Sequence, residues 1–191
     1  MAIKVFIDQG HNPQGFNAGA EGFGLREQDI TYSVGTYLAD ILRADGRFEV
    51  MTSRNSPTEV LGTSNSTSLQ ERVNMANSWG ADYFISIHAN ASTNPEANGS
   101  EVYVYSEATP AYALAGDVLG QIVRRLEMRD LGVKTRPTLY VLRRTQMPAI
   151  LVELGFITNE SDANKLANNQ YQFAYAIYAG LLDYLGLSSN I

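Results

Sequence analysis

Apolar and polar positions change period along this chain, and each change predicts an element. Ile3 to Asp8 (IKVFID) is a short run of branched and aromatic residues and reads as a buried strand. From Gly10 to Gly24 the pattern dissolves into a glycine-rich stretch too irregular for helix or strand. It returns between Glu27 and Ala44, where Ile30, Val34, Leu38, Ile41 and Leu42 keep helical spacing. Phe48 to Thr52 predicts a second strand, and Pro57 to Thr67 a polar loop. Leu69 to Trp79 predicts a helix with Ser68 as its cap and Glu71 in its first turn. Tyr83 to His88 (YFISIH) is apolar on both faces, as a central strand would be. Ala91 to Gly99 is a small-residue loop, and Glu101 to Tyr105 alternates as a strand. A helix is expected over Ala111 to Glu127, with strands at Leu139 to Leu142 and Ile150 to Leu154. Tyr171 to Leu185 ends the series as a helix with Phe173, Ile177, Leu181 and Leu185 on one face.

Strands alternating with helices imply an α/β layer fold on a mostly parallel sheet. No repeat or linker-like stretch divides the chain. A single domain over 1–187 is expected, with 188–191 as a tail or the start of a linker. The 191 residues are 45% apolar and 18% charged, enough to build a core. The absence of cysteine excludes disulfides and thiolate ligands, so any metal must be held by His, Asp or Glu. A net charge of -6 argues against nucleic acid as a partner, which needs clustered Lys and Arg. The group Arg124, Arg125 and Arg129 is diluted by Glu127 and Asp130. No apolar run approaches the ~20 residues of a membrane span, and Met1 to Asp8 shows no signal-peptide pattern.

Candidate chemistry begins with the two histidines, His11 and His88, each at the end of a predicted buried strand and beside small residues. Strand ends are where loops gather into sites. Gly10 permits a sharp turn that would expose the His11 ring. Spacing alone leaves open whether the pair is a metal site or two satisfied structural histidines. Glu153 lies inside Ile150–Phe156 (ILVELGF), where an ionisable carboxylate is costly unless paired or coordinated. Such surroundings would raise its pKa toward general-base duty. The structural alternative is an outward-facing carboxylate or one paired with Arg143 or Arg144. Glu27 starts the first long helix, where a carboxylate also stabilises the N-terminus; Glu21 is a rival in the same loop.

Several ordered motifs carry a resemblance. Ile7-Asp8-Gln9-Gly10-His11-Asn12 resembles the opening motif of the zinc-dependent N-acetylmuramoyl-L-alanine amidases, and Gly19 to Glu27 (GAEGFGLRE) resembles the stretch that family closes with a metal-binding glutamate. Thr52-Ser53-Arg54 and Glu71 to Asn77 (ERVNMAN) look like two further family signatures. Phe84 to Asn90 (FISIHAN) is similar to the second histidine motif, and Met147 to Asn159 (MPAILVELGFITN) to the catalytic-glutamate segment. The motifs appear in family order and cover nearly the whole chain. Two departures stand in the first motif, which usually has proline or alanine at position 9 and glycine at position 12. They bear on the shape of the neighbouring loop.

The resemblance implies a twisted sheet of about six strands flanked by helices. It implies one zinc ion (Zn2+) per chain on His11, Glu27 and His88, with Glu153 as the catalytic carboxylate. The activity implied is hydrolysis of the amide between N-acetylmuramic acid and the L-alanine of the stem peptide in peptidoglycan. A zinc peptidase acting within the stem and a non-catalytic wall-binding module are the alternatives. Asn90, Arg143 and Asp8 are candidates for substrate-binding or supporting roles, each with a structural alternative. A monomer acting at the bacterial cell wall is expected, as a trimmed secreted domain or a phage lysin. An open groove at the strand ends would suit a polymeric substrate.

Overall fold

The structure is a computed structural model that describes residues 2–191; Met1, where the expected domain begins, lies outside the described residues. Its strands are β1 (Ile3–Gln9), β2 (Glu21–Gly22), β3 (Leu25–Arg26), β4 (Phe48–Thr52), β5 (Tyr83–Asn90), β6 (Ser100–Val104), β7 (Asp130–Thr135) and β8 (Ala149–Phe156). The helices are α1 (Glu27–Asp45), α2 (Asn65–Trp79), α3 (Ala111–Leu126), α4 (Tyr140–Arg144), α5 (Glu160–Asn168) and α6 (Gln170–Leu185). Six strands form one sheet in the order β4-β1-β5-β8-β6-β7, and β2 and β3 form a separate short hairpin. β4, β1, β5 and β8 run parallel; β6 is antiparallel to β8 and parallel to β7. The sheet is thus mostly parallel and six-stranded, as expected, with β5 in its interior.

Strand residues alternate between two cores because successive side chains leave opposite faces. Val5, Ile7, Ile85, Ile87, Ile150 and Val152 face one side and pack with the buried stripes of α1, α3 and α6. The predicted α1 stripe, Ile30 to Leu42, is buried as expected. Phe6, Phe84, Ala149 and Leu151 face the other side and meet Val73 and Ala76 of α2 and Val141 and Leu142 of α4. Phe6 and Phe84 stack there with ring centroids 5.5 Å apart.

The strand expected at Leu139–Leu142 is instead the short helix α4. Leu142 and Arg143 both donate backbone hydrogen bonds to the Leu139 carbonyl. A strand would send neighbouring Val141 and Leu142 to opposite faces; a helical turn buries both on the same side of the sheet. The cap of α2 is Ser64, not Ser68. Ser64 Oγ accepts from Thr67 N at 3.2 Å while Thr67 Oγ1 accepts from Ser64 N at 2.8 Å, a capping box. The helix therefore begins inside the expected 57–67 loop, four residues before its first apolar side chain, Leu69. Four elements escaped the pattern: the short hairpin strands β2 and β3, the first of them inside the stretch read as too irregular for strand, and β7 and α5. β7 (DLGVKT) is a half-exposed edge strand with glycine and polar residues, and α5 is a short helix capped by Asn159. Beyond α6, the Ser188 carbonyl accepts from Arg47 Nη2 at 2.8 Å.

Helices α3 and α6 cross at Gly180, where an added Cβ would lie 2.4 Å from the Val118 Cα. Gly180→Ala should cost about 1–3 kcal/mol by overpacking, read as a fall in thermal midpoint. On the exposed face of α3, Gly116 has open space around it. Gly116→Ala should stabilise by about 0.5–1 kcal/mol through helix propensity alone. A melt in which both substitutions shift the midpoint the same way would refute this account of the packing.

Candidate metal centre

The alternation that builds the second core also aims the polar residues at its upper edge. Phe6 and Asp8 share a face of β1; Phe84, Ser86 and His88 share a face of β5; Leu151 and Glu153 share a face of β8. In register, Asp8 lies beside Ser86, His88 beside Glu153, and Glu153 opposite Glu101 of β6. Apolar residues lower on these strands thus give way to a row of imidazole and carboxylates where the parallel strands end.

Glu27, the first residue of α1, reaches into this row. Its Oε1 lies 2.9 Å from His11 Nε2 and 3.1 Å from His88 Nδ1, and those two nitrogens are 3.1 Å apart. The Ala89 amide donates to Oε1 at 3.0 Å and the Ala20 amide to Oε2 at 2.9 Å, which fixes the carboxylate in place. Burial alone would push the Glu27 carboxyl up. Hydrogen bonds and charge from the two imidazoles outweigh it and hold the group far below the usual carboxylate range. His11 Nδ1 donates to the Asn17 carbonyl at 3.1 Å, which turns the lone pair of Nε2 toward Glu27 and His88.

Side-chain atoms from the loop after β1, the start of α1 and the end of β5 therefore converge on one point, a group able to hold a metal ion. Metal bonds of about 2.0–2.1 Å at tetrahedral angles set ligand atoms roughly 3.3 Å apart, close to the separations above. Glycines make the convergence possible. A Cβ on Gly10 would lie 2.5 Å from His88 Cε1, and one on Gly19 would lie 2.8 Å from Glu27 Oε2. The expected role of Gly10 as a turn residue is thus corrected: it makes room for the His88 ring. The left-handed conformation falls on His11 itself, at φ 70. Such a backbone is uncommon outside glycine, though histidine is among the residues enriched there.

Behind the cluster sits a buried ion pair. Arg72 Nη1 contacts Asp8 Oδ1 at 2.6 Å, and Ser86 Oγ donates to Asp8 Oδ2 at 2.7 Å. Arg72 also donates to the carbonyls of Gln9 (2.6 Å) and His11 (2.7 Å) and to Asn12 Oδ1 (3.3 Å). Burial pushes the Asp8 carboxyl up, but Arg72, His88 and Ser86 more than offset this and leave it lowered. Arg72 thus links the Asp8 carboxylate to the backbone carbonyl of His11.

Glu153 is one strand from His88, and its buried Oε2 has no hydrogen-bond partner among the described residues. Burial, with smaller contributions from the charges of Glu27 and Glu101, pushes its carboxyl up to about 8. The alternative pairing with an arginine is not realised. Arg143 and Arg144 are exposed on α4, and Arg143 lines a separate surface cavity of about 520 Å3 with Tyr105, Pro110 and Met147. Glu21, the rival ligand, is exposed on the β2–β3 hairpin and lies outside the cluster. The Asn90 amide donates to Glu101 Oε1 at 2.8 Å. Sequence reasoning missed Glu101, which is buried and also bonded by Tyr103 and Lys134. An acidic residue in an alternating strand carried no mark that it would face Glu153. It missed Arg72 as well, although that residue lies inside a quoted motif. A small, mostly apolar cavity of about 110 Å3 adjoins the imidazoles, lined by Leu69, Leu139, Tyr140, Val141 and Leu151.

These features define an α/β domain with a His–Glu–His group able to hold a metal ion and, beside it, a carboxylate with one buried oxygen. The chain belongs to the N-acetylmuramoyl-L-alanine amidase family, whose profile matches residues 5–183. It is 40% identical to the N-acetylmuramoyl-L-alanine amidase LytC of Bacillus subtilis (strain 168), over 94% of this chain and 35% of that protein. It is 37% identical to the N-acetylmuramoyl-L-alanine amidase CwlM of Bacillus licheniformis, over 98% of this chain and 71% of that protein. Among solved structures, the N-acetylmuramoyl-L-alanine amidase AmiC2 of Nostoc punctiforme matches with a TM-score of 0.83 at 36% identity, covering 96% of this chain and 97% of that one.

The Asp8–Arg72 pair generates a stability prediction. Arg72→Met leaves a buried carboxylate without its counter-charge and should cost about 3–5 kcal/mol in urea denaturation. Adding Asp8→Asn should recover part of that loss, because the uncompensated charge is gone. Additive losses would show that the two groups do not act as a pair.

Proposed function

We propose that this chain hydrolyses the amide between the lactyl group of N-acetylmuramic acid and L-alanine in peptidoglycan. In this reading His11, Glu27 and His88 hold one zinc ion and Glu153 is the catalytic carboxylate. The observation that carries it is the convergence of those three ligand atoms beside a buried, unpaired carboxylate, in a chain of this family. Two imidazoles and one carboxylate suit zinc and leave a fourth position for substrate or water. Zinc held there would polarise the amide carbonyl and acidify the attacking water.

The chain's own residues supply the rest. Glu153 receives the proton of the attacking water as the oxygen–carbon bond forms. It delivers that proton to the alanine nitrogen as the carbon–nitrogen bond breaks, leaving a lactyl carboxylate and a free amine. Glu101 stays bonded to Asn90, Tyr103 and Lys134, so it does not compete for the proton. Arg72 and the Asn17 carbonyl keep the His11 ring oriented. The small cavity beside the imidazoles takes a methyl-sized group, while the loops Asn12–Gly24 and Ala91–Gly99 border an open groove for the polymer. No helix among the described residues is long and apolar enough to cross a membrane, and the proposed place of action is the cell wall.

Glu153→Gln should lower release of stem peptides from purified sacculi by about 10²–10⁴-fold while zinc content stays that of the wild type. Near-wild-type activity would place the base elsewhere. The products should be intact stem peptides with a free L-alanine amine; cuts within the peptide would instead make the chain a peptidase. Elemental analysis should find one zinc per chain, lost when His11 and His88 are both changed to alanine. Full occupancy in that double variant would sink the ligand assignment.

A further inference from the structure

The turn that joins β2 to β3 contains a residue the fold does not want there. Its two central positions are Phe23 and Gly24, with φ of 50 and 74. A tight hairpin turn with both central φ positive is the type I′ pattern, which asparagine, aspartate and glycine fill without strain. Phenylalanine in this region is strained. The ring gains little in return, because Phe23 is 60% exposed. A strained backbone and an exposed aromatic ring at one position are two costs that folding does not repay.

The hairpin is fixed relative to the metal centre. On one side Glu27 N donates to the Ala20 carbonyl and Ala20 N to Glu27 Oε2, each at 2.9 Å. On the other, Gly22 packs so closely on the end of β8 that an added Cβ would lie 2.3 Å from the Ile157 carbonyl. Across from the tip, α5 is tied to β8 by Asp162, whose Oδ2 accepts from the amides of Phe156 (2.9 Å) and Gly99 (2.8 Å). Between hairpin and α5 lies an open groove of about 390 Å3. Phe23, Leu25 and Ala167 give it apolar surface, Ser161 and Asn164 give it neutral hydrogen-bonding groups, and Glu160 is its one charge.

We propose that this groove is a glycan subsite, in which the Phe23 ring stacks on the face of a neutral amino-sugar of the peptidoglycan strand. The proposal rests on the proposed function, which brings that polymer to the adjacent metal centre. Charge decides between sugar and peptide. Glu160 lines the groove, and Glu21 and Asp29 flank the hairpin with only Arg26 between them, 3.9 Å and 3.6 Å away. A stem peptide carries free carboxylates that this acidic rim repels. An N-acetylated sugar is uncharged, offers hydroxyl and amide groups to Ser161 and Asn164, and has a ring face of C–H bonds that suits an aromatic surface. Phe23 is thus a specificity residue for the glycan and not part of the chemical step.

The test is binding to glycan made of N-acetylglucosamine oligomers, which are neutral and hold neither a lactyl carboxylate nor a scissile amide, so the intact chain can be used. Phe23→Asn should weaken that binding about five- to ten-fold, the scale of one aromatic contact. Phe23→Trp should retain it. Because asparagine relieves the turn, the thermal midpoint of Phe23→Asn should stay level or rise by about 2–4 °C. The proposal is overturned if Phe23→Asn binds glycan as wild type does, or if its midpoint falls, which would make the ring a packing residue. It is overturned equally if the wild type binds isolated stem peptides and not glycan. Hydrolysis of sacculi by the wild-type preparation, measured alongside, reports on the proposed function separately. An inactive chain that binds glycan through Phe23 refutes the function and leaves the subsite standing.

Discussion

The buried guanidinium of Arg72 is the point through which the end of β1, helix α2 and the first histidine loop are held together. Its donors are spread over Asp8, the carbonyls of Gln9 and His11, and Asn12. Removing such a cation and carboxylate from water costs several kcal/mol per ion, and only a dense set of hydrogen bonds offsets it. The gain is positional. A strand end left to itself would fray, yet here the backbone carbonyl of His11 is anchored from a helix more than sixty residues away in sequence. Asn17 completes the link by orienting the His11 ring while bonding to Asn65 and Ser68 of α2.

The second constraint is the period of two along a strand. It aligns Asp8, Ser86, His88 and Glu153 above Phe6, Phe84 and Leu151, so one face carries both core and candidate site. The same alignment sets Glu153 opposite Glu101, an unfavourable like-charge pair. Lys134, Asn90 and Tyr103 gather on Glu101, while the buried Oε2 of Glu153 has no partner among the described residues. Burial, reinforced by the nearby charges of Glu27 and Glu101, raises its pKa.

The two departures from the family's first motif have local physical accounts. Gln9 accepts from Arg54 N at 2.9 Å and occupies the space left by Gly35, where a Cβ would meet its Cγ at 2.4 Å. Asn12 bonds both the amide and the carbonyl of Leu61, each at 3.1 Å, standing in for a strand partner and fixing the loop before α2. Both changes thus act on neighbouring elements, and neither displaces His11.

The sequence by itself determined the layered α/β fold, because long periodic stretches such as Ile30–Leu42 and Tyr83–His88 leave little choice of structure. It also marked His11, His88 and Glu153 as candidates for chemistry, while Glu27 entered only through the family resemblance. It did not determine where elements without apolar periodicity lie. β2, β3, β7 and α5 carried no signal, α2 read as beginning at its first leucine, and the two apolar residues of α4 read as strand. Only the tertiary structure decided that Glu27 and not Glu21 joins the histidines, that Arg72 rather than a glycine turn holds the His11 loop, and that Glu101 shares a rung with Glu153. Each of these depends on strand register and on close backbone approach at Gly10 and Gly19. Those are distances between residues far apart in the chain, and periodicity along a sequence does not encode them.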